Sequence, residues 1–160
     1  MRSRLDRALL AAAAALLTAC ASPPAPPPDG SWSGRLALTV AVDPPQRWSA
    51  AFELEGDAER GVLRLFGPLG NLAAEVRWSP QGAWLERGDG PAQYYPDLAT
   101  LTTDLTGTAL PVATLFDWLA GRPTPLSGWE VDLGNHASGR LHARRLTPAP
   151  PADLRLLWQP

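Results

Sequence analysis

The sequence predicts an α+β fold: a curved antiparallel sheet with two short helices on one face. Three observations carry that expectation. Apolar residues alternate with period two over most of the chain beyond residue 31. Clusters of Gly, Pro, Asp and Ser punctuate the alternation. One central stretch changes to a helical period.

The elements follow in order. Leu36, Leu38 and Val40 alternate with Arg35, Ala37 and Thr39, and Trp48, Ala50, Phe52 and Leu54 alternate with Ser49, Ala51 and Glu53. Val62 to Phe66 continues the theme, and Leu72, Ala74, Val76 and Trp78 share one face of the next run. Such alternation marks antiparallel strands with one buried face. Asp43-Pro44-Pro45, Glu55-Gly56-Asp57, Ser79-Pro80-Gln81-Gly82 and Gly88-Asp89-Gly90 supply turns between them. Asp97 can then cap a helix in which Leu98, Leu101 and Leu105 share a face, ended by Gly107. Pro111 opens a second helix with the stripe Val112, Leu115, Trp118 and Leu119, ended by Gly121 and Pro123. Both are too short to stand alone and need a sheet to lie against. Strands return at Trp129 to Leu133, Gly139 to Leu146 and Leu154 to Trp158.

The N-terminus carries a different message. Arg2, Arg4 and Arg7 precede the apolar run Ala8 to Leu17, which is too short to cross a hydrocarbon core of ~30 Å as a helix. Leu17-Thr18-Ala19-Cys20 follows, with the small residues Ala19 and Ala21 around the only cysteine. This reads as a bacterial lipoprotein signal: residues 1–19 are a cleaved leader, and Cys20 starts the mature chain and bears the lipid. The plainer alternative is a core cysteine behind an ordinary secretory leader. Residues 20–30 form a tether, with five prolines between Ser22 and Pro28 that suit an extended spacer. Residues 31–160 are long enough for one domain with a real core. Two or three acyl chains would anchor such a chain durably, each buried CH₂ contributing ~0.8 kcal/mol.

Composition narrows the function. All 14 basic residues are arginine, against 16 carboxylates. Loss of Arg2, Arg4, Arg7 and Asp6 with the leader moves the net charge from −2 to near −4. Nucleic acid is therefore not the expected partner. A single cysteine allows no internal disulfide, so the core must hold the fold alone. The seven tryptophans are explained mostly as core filler, with one or two suited to the rim of an apolar cavity.

No catalytic constellation is visible. His136 and His142 are the only histidines; Asp132 and Ser138 lie near them, but no nucleophile elbow frames them. Two histidines and one distant cysteine do not make a zinc site. Asp97, Asp104 and Asp117 are better explained by a helix cap and polar helix faces than by an acid–base pair. Gly67-Pro68-Leu69-Gly70 lacks the lysine and spacing of a phosphate loop.

That last segment is nonetheless informative. It joins two alternating strands as a tight turn and puts Leu69 at the tip, where a polar residue is expected. Either Leu69 folds back onto the core, or it is an apolar probe on a rigid turn. In the second case its burial in lipid would return ~1.5–3 kcal/mol.

Taken together, six segments resemble the outer-membrane lipoprotein receptor family LolB. They are Gly34-Arg35-Leu36-Ala37, Phe52-Glu53-Leu54, Leu63-Arg64-Leu65-Phe66-Gly67-Pro68-Leu69-Gly70, Leu105-Thr106-Gly107-Thr108-Ala109-Leu110-Pro111-Val112, Leu115-Phe116-Asp117-Trp118-Leu119-Ala120-Gly121-Arg122-Pro123 and Gly128-Trp129. The resemblance runs from about Ser33 to Trp158. It implies a half-open antiparallel barrel, capped by helices around an apolar cavity. Leu36, Leu38, Phe52, Leu115, Trp118 and Leu119 are the candidates for the cavity and its lid.

The resemblance also implies a role. The family takes lipoproteins from the soluble periplasmic carrier LolA by their acyl chains and inserts them into the outer membrane. It uses no enzyme chemistry, and no cofactor beyond the covalent diacylglyceryl lipid. Cys20 matches the lipidated cysteine, and Gly67, Pro68, Leu69 and Gly70 match the protruding membrane-insertion loop. Ala21 and Ser22 lack the aspartate of inner-membrane retention, which implies a site on the periplasmic face of the outer membrane. The family precedent is a monomer. Two departures stand out: a short Gly121–Gly128 segment, and Pro148, Pro150 and Pro151 before the last strand. They imply fewer strands and a shallower or more open cavity. The competing reading is a scaffolding outer-membrane lipoprotein that binds protein partners; an envelope-lipid or glycan enzyme has the least support.

If Cys20 is the anchor, Cys20→Ala releases the protein into the soluble periplasmic fraction. Fractionation and immunoblotting check this, and persistent membrane association would reveal another anchor.

Overall fold

Period-two alternation becomes one sheet of nine strands, all paired antiparallel, in a computed structural model that describes residues 30–159. The leader, Cys20 and all but the last residue of the tether lie outside the described residues. The strands are β1 (Ser31–Val40), β2 (Gln46–Gly56), β3 (Gly61–Phe66), β4 (Leu72–Ser79), β5 (Gly82–Glu86), β6 (Gln93–Tyr95), β7 (Trp129–Asp132), β8 (Arg140–Arg145) and β9 (Ala152–Trp158). Their spatial order is β6-β5-β4-β3-β2-β1-β9-β8-β7. The sheet does not close on itself, so the fold is the expected curved half-barrel.

The two edge strands, β6 and β7, are consecutive in the chain. The chain must therefore cross the whole width of the sheet between them. It does so as two helices, α1 (Leu98–Thr106) and α2 (Val112–Leu119). Asp97 caps α1, its carboxylate accepting from the Thr100 N–H at 2.7 Å. That hydrogen bond holds the Asp97 carboxyl below its ordinary pKa. Gly107 closes α1, and α1 packs against β5 and β6. The concave face of the sheet and the apolar faces of the helices enclose the core.

Cross-strand register assembles that core. Trp32, Leu54, Leu63, Val76 and Leu85 fall in one row across β1 to β5, all facing inward, and Phe52, Leu65 and Ala74 lie in the next inward row. Leu38 and Trp48 pair further along, with Leu154 on the other side of Leu38. At the end where β1 begins, Phe116 of α2 packs between Trp32 (5.7 Å) and Trp78 (6.0 Å), in tilted ring contacts. The Trp78 indole N–H donates to the Asp57 carbonyl at 3.1 Å. Its ring lies over Gly61, where a Cβ would sit 2.2 Å from the indole and 2.6 Å from the Glu55 carbonyl oxygen.

The convex face is polar. Arg64 reaches Glu75 (2.9 Å), Glu55 (3.2 Å) and Glu53 (3.9 Å), and Arg77 reaches Glu75 (3.1 Å) and Glu86. Such exposed pairs contribute little stability each. They keep the outside of β2 to β5 wet while the inside stays apolar.

Two details differ from the sequence reading. The reading named neither β5 nor the three-residue edge strand β6. The short segment between Gly121 and Gly128 carries no strand, only an isolated bridge of Leu126 to Trp129. Among the described residues no helix is long and apolar enough to cross a membrane.

Because nothing can retreat from Gly61 without moving a backbone carbonyl, Gly61→Ala should destabilise the domain by about 1–3 kcal/mol, the usual cost of overpacking. Urea denaturation followed by tryptophan fluorescence measures it.

Candidate functional site

Between the sheet and the helix pair lies a cavity of about 320 Å³. That is at the lower end of small-molecule pockets, which run ~300–1,000 Å³. Its sheet wall comes from β1 to β4 and β9, with Leu38, Phe52, Leu65, Val76 and Leu154 among its members. Its roof comes from the helices, through Leu98, Leu101, Leu105, Val112 and Leu115. The lining side chains able to hydrogen-bond are Arg87, Thr102, Thr106, Trp48 and Trp78; the rest are hydrocarbon or the Phe52 ring. Such a surface offers water almost no partners and favours an apolar guest.

The sequence-derived candidates divide. Leu36, Leu38, Phe52 and Leu115 line the cavity. Trp118 and Leu119 do not, and this corrects their assignment. Both are buried, at 1% and 2% exposure, but they sit at the far end of α2 where it leaves the cavity for β7 and β8. Trp118 packs on Trp129 at 6.1 Å and donates its indole N–H to the Thr124 carbonyl at 2.9 Å. The Leu119 carbonyl accepts from His136 Nε2 at 2.8 Å. One apolar stripe thus serves two purposes along its length: cavity roof first, then ordinary core.

The turn at the end of β3 settles the question left open for Leu69. Its side chain is 95% exposed. The Gly70 N–H donates to the Gly67 carbonyl, and the Gly67 N–H to the Asn71 carbonyl, both at 2.9 Å. Gly70 has φ 79°, whereas among the described residues none other than glycine has positive φ. The loop is therefore a type I turn over Pro68 and Leu69, completed by a left-handed glycine. A register shift between Leu65 and Phe66 adds a bulge at the base of the loop. Pro68 fixes one torsion and the glycine supplies the other. The leucine is thus held out by the backbone rather than by side-chain packing. Leu72, at 49% exposure, extends the apolar patch.

Register also orients the site. Ser31 pairs with Glu55, which pairs with Val62, so the start of β1 is level with the start of β3. The Leu69 loop lies beyond the other end of β3. Leu65 and Phe52 share a row near that end, so the cavity wall runs up towards the loop.

Some functional-looking residues were not legible from sequence. Arg145, on the inner side of β8, is only 7% exposed. It donates to the Pro148 carbonyl at 2.9 and 3.0 Å and to the Ala109 carbonyl at 3.4 Å. It therefore ties the link between the helices to the β8–β9 loop. Thr102 adds a second tie, its hydroxyl accepting from the Leu110 N–H at 3.0 Å. At the end of α2, Asp117 accepts from Arg122 and from the Thr124 hydroxyl (2.9 Å), and these bonds hold its carboxyl below the ordinary range.

The residues weighed for catalysis have structural partners instead. His136 meets Trp158 edge to face at 5.2 Å besides its bond to Leu119. His142 contacts Asp153 at 2.7 Å on the sheet. Burial pushes the Asp153 carboxyl up, but His142 and Arg155 outweigh it and leave the group below its usual value. Asp104 accepts from the Tyr95 hydroxyl at 2.8 Å.

The sequence itself has relatives that place the chain in a family. Residues 31–146 match the family described as outer membrane lipoprotein LolB. The chain belongs to the LolB family. It is 37% identical over 100 residues to the outer-membrane lipoprotein LolB of Alkalilimnicola ehrlichii, covering 62% of this chain and 48% of the relative. With the LolB of Cupriavidus pinatubonensis it shares 39% identity over 75 residues, 47% of this chain and 36% of that one. With the LolB of Vibrio cholerae the figures are 32% over 94 residues, 59% and 46%. The chain spans about half the length of the curated relatives it matches, or less. Membership in LolB places it among outer-membrane lipoproteins.

Separating roof from core makes a testable distinction. Trp118→Ala should cost about 3–5 kcal/mol of stability, as large aromatic deletions do. The folded fraction should still bind an apolar fluorophore in the cavity with unchanged affinity. Chemical denaturation and a fluorescence titration check the two halves.

Proposed function

We propose that this domain receives lipoproteins from the soluble periplasmic carrier LolA by binding their acyl chains in the cavity, and inserts them into the outer membrane. The observation that carries the reading is an apolar cavity between sheet and helices, together with a fully exposed leucine on a rigid turn beyond it. Cys20, at the end of the lipoprotein signal, anchors the chain through its own acyl groups, and residues 20–30 serve as the tether. The working unit is a monomer.

The mechanism needs no nucleotide or catalytic group. Acyl chains leave water for an apolar wall, which stabilises the bound state in proportion to the area covered. Transfer runs downhill when the carrier holds the chains more weakly than this cavity does, and the cavity more weakly than the bilayer. The helix roof must yield for chains to enter. α1 and α2 meet the sheet mainly through side chains, and the Arg145 and Thr102 ties hold the link between them. Leu69 contributes at the last step. One buried leucine returns ~1.5–3 kcal/mol, too little to anchor the domain but enough to favour momentary insertion of the tip beside the cavity.

The test is transfer of a labelled lipoprotein from purified LolA to this protein and on to liposomes. Leu69→Asp should leave the circular dichroism spectrum and acceptance from the carrier unchanged, and reduce delivery into liposomes by about tenfold or more. Wild-type delivery by a folded Leu69→Asp protein would remove the role given to the tip. Failure of the wild-type protein to bind an acylated peptide would remove the role given to the cavity.

A further inference from the structure

We propose that Arg87 fixes how deeply acyl chains enter, by donating hydrogen bonds at the cavity mouth to the ester and amide carbonyl oxygens where the chains join the lipidated cysteine. The proposal rests on the acyl-binding reading above and adds the chemical group recognised.

Arg87 breaks a pattern. The inward positions of β5 are Ala83 and Leu85, at 0% and 1% exposure, and two residues later the same face reaches Arg87. Glu86, the last residue of β5, pairs with Glu75, and Arg87 follows one position beyond the strand, at the end of the cavity it lines with Leu65 and Phe52. Alternation demands a hydrocarbon there, and an arginine stands in its place. It lines the cavity, and it is the lining residue classed as exposed, so it marks where the wall meets solvent. It is also the lining residue that carries a charge.

Its donors are largely free. Nη2 donates to the Gln93 side-chain oxygen at 3.1 Å. Among the described residues no carboxylate lies within ion-pair distance of it. A guanidinium has five N–H donors and no acceptor. The threonine hydroxyls of the wall are already committed. Thr102 donates to the Leu98 carbonyl and accepts from the Leu110 N–H, and the one Thr106 hydroxyl proton is shared between the Thr102 and Thr108 carbonyls. The Trp78 indole N–H is engaged with Asp57.

The guest supplies the complement. An acyl chain has no polar atom until its root, and the ester or amide carbonyl there is an acceptor only. With the tail against the leucines and the root at the mouth, the first oxygens meet the free guanidinium. A charge-assisted hydrogen bond in that position rewards a chain seated to its root over one seated partway. It also distinguishes an acylated peptide from a bare hydrocarbon.

The experiment uses the full chain carrying Cys20→Ala and two probes: a synthetic triacylated cysteinyl peptide, and an alkane-tailed fluorophore without a carbonyl. Arg87→Met, which keeps an apolar stem and removes the donors, should weaken the lipopeptide by about tenfold or more and leave the alkane probe unchanged. Arg87→Lys should recover part of the loss. A thermal melt matching wild type establishes that each variant is folded. Lipopeptide binding by Arg87→Met equal to wild type overturns the proposal, and so does an equal loss for both probes. An effect confined to binding of anionic phospholipid vesicles also overturns it, because the partner would then be a headgroup phosphate. If the wild-type protein binds neither probe, the acyl-binding reading itself fails, which is a different result from an unaffected Arg87→Met.

Discussion

The structure depends on one topological constraint: the strands at opposite edges of an open sheet are consecutive in the chain. The connection from β6 to β7 must travel across the sheet, and its apolar helices make the concave side the favourable route. Every property of the site descends from that crossing. Helices laid over a curved sheet contact it at their ends and along one stripe. The rest of the concave surface stays apart from them, and a cavity remains where a closed barrel would have filled its own interior.

Keeping a cavity has a cost, because lining atoms without neighbours forfeit dispersion contacts. The fold limits that cost by segregating its apolar residues. At one end Trp32 meets Phe116 edge to face and Phe116 meets Trp78 at a tilt, and towards β7 the indole of Trp118 meets Trp129. These regions carry the stability. The leucine-rich stretch between them is left less densely packed and is where a guest fits. Backbone carbonyls, rather than a carboxylate, receive the buried guanidinium of Arg145, so it holds the interhelix link without placing an acid beside an apolar cavity.

How much of this was legible in the sequence depended on range. Alternation on Leu36–Val40, Trp48–Leu54 and Leu72–Trp78 is a local signal, and so are Asp97 as a cap and Gly107 as a stop; each appears as read. The strands Gly82–Glu86 and Gln93–Tyr95 were missed because five and three residues are too few to show a period. Trp118 and Leu119 were assigned with Leu115 because a helical stripe records angle around the axis and not position along it. Whether Leu69 folds back or stands out could not be read from its neighbours, since a P-L-G turn is compatible with both; the register on either side of the loop decided it. Nothing in their local sequence marks Arg87 or Arg145; one is placed by the cavity it lines and the other by its pairing on β8. The relatives helped with identity, but they share only part of their length with this chain.

The register that sets the start of β1 level with the start of β3 has a consequence for reach. Gly30 emerges at the end of the sheet remote from the Leu69 loop. Along the sequence, ten peptide steps lead from Cys20 to Gly30. A chain of that length spans at most about 35 Å. The climb along the six residues of β3 and into the turn is about 20–25 Å at the rise of a strand. It is therefore shorter than that span. The N-terminal end of the domain and its apolar tip thus face opposite ways along the sheet, and a surface met by one end is met by the other only after the whole domain turns over.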